Sequence, residues 1–245
     1  MLKEASKTAA DESMKIIAVM SRKGGAGKTT LVRALMSAVA SSGRTCLALD
    51  ADPQGALSEW AERTKLSKGA VEVRRLYKPS DLQAEIDFAW NGGKTDYVLV
   101  DTQGAGGEWA DYVAVRADHI VCPVMLSDTD FKMTMDTFVW YQRLRERATN
   151  PEALPTFVCV VSRVPRRAPK TMQAVAAQCV KSLPVVPTMF MERAQHADSD
   201  AGGLLHELAA ARQNDPSPLM RQHARNYEET VQEAGDILQA IERSR

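Results

Sequence analysis

Ser21-Arg22-Lys23-Gly24-Gly25-Ala26-Gly27-Lys28-Thr29-Thr30 decides how the rest of the chain is read. It follows an apolar strand candidate, Lys15–Met20, and opens a segment with helical periodicity, Thr29–Ser41. A glycine-rich turn between strand and helix is the context in which backbone N–H groups converge on phosphate. Three glycines within four positions let that backbone curl tightly. Lys28 then brings a point charge to the outer phosphates, and the hydroxyl of Thr29 can hold magnesium. Lys23, just before the glycines, adds a charge that an ordinary phosphate loop does not require.

Outward from the loop, short apolar runs alternate with longer amphipathic ones. Strands are expected at Thr45–Asp50, Val71–Leu76, Tyr97–Asp101, His119–Val124, Phe157–Val161 and a short Val185–Pro187. Several are too uniformly apolar for a half-exposed sheet, which makes them central parallel strands covered on both faces. Helices are expected at Ser80–Trp90, Thr129–Arg147 and Lys170–Ser182, with Ser80 as cap and Gln83 at the capping-box position of the first. After Pro216 and Pro218, Arg221–Arg243 carries a 3.6-period apolar set (Tyr227, Val231, Ala234, Leu238, Ile241) and is a closing helix. The predicted fold is α/β: one phosphate-loop domain over residues 15–245, with a mostly parallel central sheet flanked by helices and a loose tail at 1–14.

Ligands of such sheets sit beyond the carboxyl ends of the strands, and the remaining polar signals fall there. The second strand exits through Asp50-Ala51-Asp52-Pro53-Gln54-Gly55, which sets two carboxylates two positions apart. The fourth exits at Asp101-Thr102, where an aspartate can fix the water shell of magnesium. Either carboxylate region alone could be a turn former, and any role of Gln54 beyond the turn is open. Gly104, Gly106 and Gly107 suit a mobile segment that senses the third phosphate.

Bulk composition limits the alternatives. Thirty-one basic residues balance thirty-one acidic ones among 245, so any nucleic-acid contact must come from a local patch. Arg163, Arg166, Arg167 and Lys170 form such a patch around Pro165 and Pro169 without an intervening acid. It is a solvated turn, a phosphate-attaching DNA surface with little sequence preference, or a contact for a partner protein. Cys46, Cys122, Cys159 and Cys179 lie far apart without metal spacing, a reduced, cytoplasmic pattern. His119, His196, His206 and His223 also lack metal spacing. The acidic residues of the closing helix, Glu228, Glu229, Glu233, Asp236 and Glu242, oppose docking to anionic lipid.

Residues 22–30 resemble the deviant phosphate loop of the ParA/MinD family of ATPases, whose additional lysine matches Lys23. Asp50–Gly55, Asp101-Thr102 and Arg116-Ala117-Asp118-His119-Ile120 resemble further family segments. Leu183-Pro184-Val185-Val186-Pro187, with Met189–Arg193, is similar to a subgroup that includes plasmid-partition ATPases and the accessory ATPase of T-DNA transfer in agrobacteria. The resemblance implies a homodimer formed with ATP and Mg2+, in which Lys23 of each subunit reaches phosphates bound by the other. It implies a nucleotide cradle of Lys23, Gly24, Gly25, Ala26, Gly27, Lys28, Thr29 and Thr30. Thr29 would be a direct magnesium ligand, Asp50 and Asp101 would act through its waters, and Asp52 would position the hydrolytic water.

The implied role is a slow ATPase switch that positions or segregates DNA through nonspecific duplex binding and an adaptor that stimulates hydrolysis, in the cytoplasm or on the nucleoid and not at a membrane. The same engine carrying a protein cargo or serving conjugative transfer is the second reading; a phosphotransferase or ligase is the third, which Lys23 opposes. Thr102-Gln103-Gly104-Ala105-Gly106-Gly107 departs from the family's Thr-Pro-Pro form, and Ser162 stands where relatives often carry asparagine.

Overall fold

The computed structural model describes residues 14–66, 69–103 and 108–244. Residues 1–13 of the expected tail and the glycines at 104, 106 and 107 lie outside them. The first half of the chain runs β1 (Lys15–Val19), α1 (Lys28–Ser41), β2 (Cys46–Ala51), α2 (Ala56–Thr64), β3 (Val71–Arg75), α3 (Pro79–Gly92) and β4 (Tyr97–Thr102). The second half continues with α4 (Glu108–Ala114), β5 (His119–Met125), α5 (Asp128–Arg147), β6 (Thr156–Val164), α6 (Lys170–Ser182) and β7 (Phe190–Met191). Three helices close it: α7 (Ala194–Gly202), α8 (Leu205–Gln213) and α9 (Pro218–Arg243).

The strands form one seven-stranded sheet in the order β3-β2-β4-β1-β5-β6-β7. Every pairing is parallel. Successive residues of the central strands alternate between two cores, as a two-sided sheet demands. Ile17, Val19, Leu99 and Val121 face the side covered by α1, α2, α8 and α9. Ala18, Met20, Val98, Val100, Ile120 and Cys122 face the side covered by α3, α4, α5 and α6. Each large aliphatic side chain so buried contributes about 1.5–3 kcal/mol relative to exposure. All four cysteines are free and buried.

The closing helix packs on α1 and α8. Its Tyr227, Ala234, Leu238 and Ile241 are buried, Glu228, Glu229 and Asp236 face solvent, and Glu233 is buried. Among the described residues no helix is long and apolar enough to cross a membrane.

Two local expectations are corrected. The cap of α3 is Lys78 with Pro79 in the first turn, and the carboxylate of Asp81 accepts from the Tyr77 and Lys78 amides at 3.4 and 3.3 Å. Proline suits that first position because its missing N–H is not needed there, so the start moves ahead of Ser80. Gln83 instead accepts a bond from Arg116 Nε at 2.7 Å. The last strand is Phe190–Met191 rather than Val185–Pro187, of which Val185 makes only an isolated bridge to Cys159.

Candidate nucleotide-binding site

The glycine loop leads from β1 into α1, where Gly27 takes the cap position at φ 89°, a left-handed conformation that L side chains rarely adopt. No side chain caps this helix, which leaves its first N–H groups pointing outward. A Cβ added at Gly24, Gly25 or Gly27 would meet no atom within 4 Å, so the loop borders open space of the kind a phosphate fills. Lys28 is buried to 7% exposure, with Nζ donating to the Lys23 carbonyl at 3.4 Å. Ser162 ties the far side of the loop to β6, its Oγ donating to the Ala26 carbonyl at 3.3 Å.

Thr29 Oγ1 donates to Asp101 Oδ2 at 2.6 Å, while the buried Oδ1 has no hydrogen-bond partner. An orphaned carboxylate oxygen beside a threonine hydroxyl is the hard oxygen set that magnesium takes, with phosphates and waters supplying the rest. Asp50 is the ladder neighbour of Asp101. Its oxygens accept from the backbone N–H groups of Asp52 at 3.2 Å and Ser58 at 2.8 Å, which fixes the exit of β2 and the start of α2.

Burial pushes the Asp101 carboxyl up to about 7, and Asp50 adds to the shift while Thr29 and Lys28 oppose it. The unfolded chain gives up this proton near pH 4 and the folded one near 7, so stability falls as pH rises between them. Asp101→Asn is therefore expected to melt above the unaltered protein at pH 8 and close to it at pH 4, both without nucleotide. Thermal melts across that range check the crossover, and an equal gap at both ends would contradict it.

Asp52 sits in a turn closed by Gly55 N donating to its carbonyl at 2.8 Å, and its Oδ1 accepts from Gln54 N at 2.9 Å. Asp52, Gln54 and the glycine loop border one cleft of about 780 Å³. The opposite wall is built from Phe190, Arg193, His196 and Arg163. Phe190 and His196 pack with ring centroids 4.5 Å apart, and Arg193 donates to the buried Glu233 of α9 at 2.8 and 3.0 Å. Burial, reinforced by Arg193 and Arg33, holds His196 neutral with its pKa down at about 4.

Lys23 does not border this cleft. Its ammonium is 2.6 Å from Asp130, a carboxylate in the first turn of α5 with 7% side-chain exposure. The Ser127 hydroxyl donates to the same carboxylate. The structure thus gathers Lys28, Thr29, Asp52 and Asp101 around the glycine loop but sets Lys23 on the adjoining face.

The basic patch divides as well. Arg163 has φ 53° at the register irregularity between Ser162 and Val164, which brings it to the cleft, with Nη2 3.9 Å from Glu192. Arg166 and Arg167 lie exposed on the following turn, and Lys170 is exposed at the start of α6.

Asp130 and His196 went unread as site residues. Ser127 as a helix cap followed by Asp130 was a visible signal for the start of α5; nothing local tied that aspartate to Lys23. Among the described residues no three His, Cys, Asp or Glu side chains converge as a self-sufficient metal site.

A phosphate loop at the central strand of an all-parallel sheet, with aspartates at the exits of β4 beside it and of β2 one strand further out, defines a P-loop protein of the ParA/MinD type. The chain belongs to the VirC1 protein family, whose model matches residues 14–244. It is 32% identical over 231 residues to protein virC1 of Rhizobium rhizogenes, covering 93% of this chain and 97% of that one. Its fold matches pnob8 ParA with a TM-score of 0.65 at 13% identity, covering 94% and 99% of the two chains. The septum site-determining protein MinD of Pyrococcus horikoshii, complexed with Mg-ADP, matches with a TM-score of 0.60 at 16% identity, covering 92% and 96%.

Proposed function

We propose that this protein is an ATP-driven pairing switch of the ParA kind that positions DNA. The observation that carries the reading is the separation of its two loop lysines. Lys28 lies buried at the base of the cradle, whereas Lys23 stands outside the cleft on Asp130. A lysine on that outward face is available to a second protomer, as an arginine finger is when supplied in trans.

ATP with magnesium supplies the transferable phosphoryl group and the countercharge. Within one protomer the loop amides and Lys28 bind the phosphates. Thr29 and Asp101 hold the metal side, and Asp52 orients the attacking water. Lys23 exchanges Asp130 for the phosphates of the facing copy, which makes pairing depend on nucleotide and nucleotide retention depend on pairing. The Mg-ADP complex of the structurally similar MinD supports this choice of ligands. Sedimentation velocity with ATP, ADP or no nucleotide tests the switch: pairing only with ATP is expected, and the same mass in all three conditions would reject it.

Kinship with virC1 and ParA proteins supports DNA as the object positioned. Arg166, Arg167 and Lys170 are the attachment surface, weak in one copy and strengthened by effective concentration in two. An adaptor protein accelerates hydrolysis and so sets the residence time. Arg166→Ala with Arg167→Ala is expected to weaken binding to unrelated duplexes about 10-fold and to reduce the salt slope by about 2 for each engaged protomer. Fluorescence anisotropy across a salt series, with and without ATP, reads both quantities; unchanged affinity and slope would remove this surface from the scheme.

A further inference from the structure

Arg75, the last residue of β3, reaches over the turn that carries Asp52. Its Nη2 donates to the Pro53 carbonyl at 2.7 Å. The ladder sets Arg75 beside Asp50, and one step further Leu76 N donates to the Asp50 carbonyl at 2.8 Å. The guanidinium therefore grips the turn from a strand end that is itself locked to the strand delivering it.

The grip is also steric. A Cβ at Gly55 would lie 2.5 Å from Arg75 Cζ and 2.6 Å from Nη1, so the guanidinium would have to move off the turn. Gly55 thus meets two demands at once: φ of 68° at the start of α2, and room for the guanidinium against the backbone. Arg75 Cζ further lies 5.6 Å from the Tyr77 ring centroid, a stacking partner that suits a planar group.

The Asp50 carboxylate holds the two ends of the turn through the Asp52 and Ser58 amides, and the internal bonds, Gly55 N to the Asp52 carbonyl and Gln54 N to the Asp52 carboxylate, keep its shape. Arg75 adds the hold on its middle, at Pro53. Pro53 has no N–H, so its carbonyl is the peptide group it offers to the rest of the fold. We propose that Arg75 is a positioning residue for ATP hydrolysis, holding the turn of residues 52–55 so that Asp52 keeps its aim into the cleft. The proposal rests on the assignment of Asp52 to the hydrolytic water. An error of about 1 Å in a positioned group costs up to about 100-fold in rate, so loss of the clamp acts on turnover rather than on binding.

The test is a kinetic cycle on the full chain with Arg75→Ala, Gly55→Ala and the double variant, read as single-turnover phosphate release and as KM for ATP. Arg75→Ala is expected to lower the rate about 10-fold, with KM, melting temperature and ATP-dependent pairing unchanged. Arg75→Lys recovers part of the loss. Gly55→Ala lowers the rate as well, and the double variant is no slower than the slower single one, because both disturb the same contact.

A full rate in Arg75→Ala, a loss appearing as raised KM or lowered melting temperature, or multiplying losses in the cycle would each overturn the clamp. Asp52→Ala run in parallel separates the two levels. If it turns over normally, the assignment of Asp52 falls and the clamp with it. If it is inactive while Arg75→Ala is fully active, only the clamp falls.

Discussion

With ATP and magnesium, the Lys23→Ala variant is expected to remain monomeric at concentrations where the unaltered protein pairs. Removing a charged group from a desolvated interface costs about 2–5 kcal/mol, so pairing affinity should fall by on the order of 100-fold. ATP affinity should change little by comparison, because Lys28, the loop amides and Thr29 remain in place around the cradle. Removal of the 2.6 Å pair with Asp130 is a separate consequence and bears on the resting monomer. Sedimentation velocity beside a fluorescent-ATP titration, the latter at protein concentrations too dilute for pairing, reads the two affinities independently. Unchanged pairing would reject the role of Lys23, and a parallel loss of nucleotide binding would make it an ordinary contact within one subunit.

Asp52→Ala should do the reverse: it pairs with ATP and then stays paired. Loss of a group that positions or activates the attacking water typically costs about 100- to 10,000-fold in rate. The same substitution strips Gln54 N–H of its carboxylate acceptor, so a purely structural defect must be told apart. Asp52→Asn does this, since its amide oxygen can still accept from Gln54 while no longer serving as a base. Both variants are expected to release phosphate slowly while pairing persists. Normal release by Asp52→Asn would remove the carboxylate from the chemistry.

The contrast between these variants reflects what was legible in the chain. The β1–loop–α1 unit was readable because its signals are local: an apolar strand, glycines that tolerate a left-handed turn, and a lysine and threonine at the helix start. The aspartates were readable for the same reason, each standing where an apolar strand ends. Short elements were harder. The helix at Ala56–Thr64 begins directly after Gly55 and buries only Leu57, Ser58 and Trp60, too few for a clear period. The strand Phe190–Met191 is defined by its partner, pairing where β6 bulges, and Val185-Val186 offered a more apolar decoy.

Long-range contacts were beyond reach. Lys23 and Asp130 meet only because α5 starts beside the glycine loop. Arg163 looked like part of one basic turn with Arg166 and Arg167, yet a single backbone irregularity sends it to the cleft. Arg75 gave no local sign at all, since its contact with Pro53 exists only once β2 and β3 are paired.

The central claim is that one protomer's Lys23 completes the phosphate site of the other. The position of that ammonium in a crystal grown with magnesium and a non-hydrolysable ATP analogue tests it most directly. Paired protomers are expected, with each Lys23 released from Asp130 and seated on phosphates held by the facing copy. A single copy holding the analogue, with Lys23 still on Asp130, would contradict it.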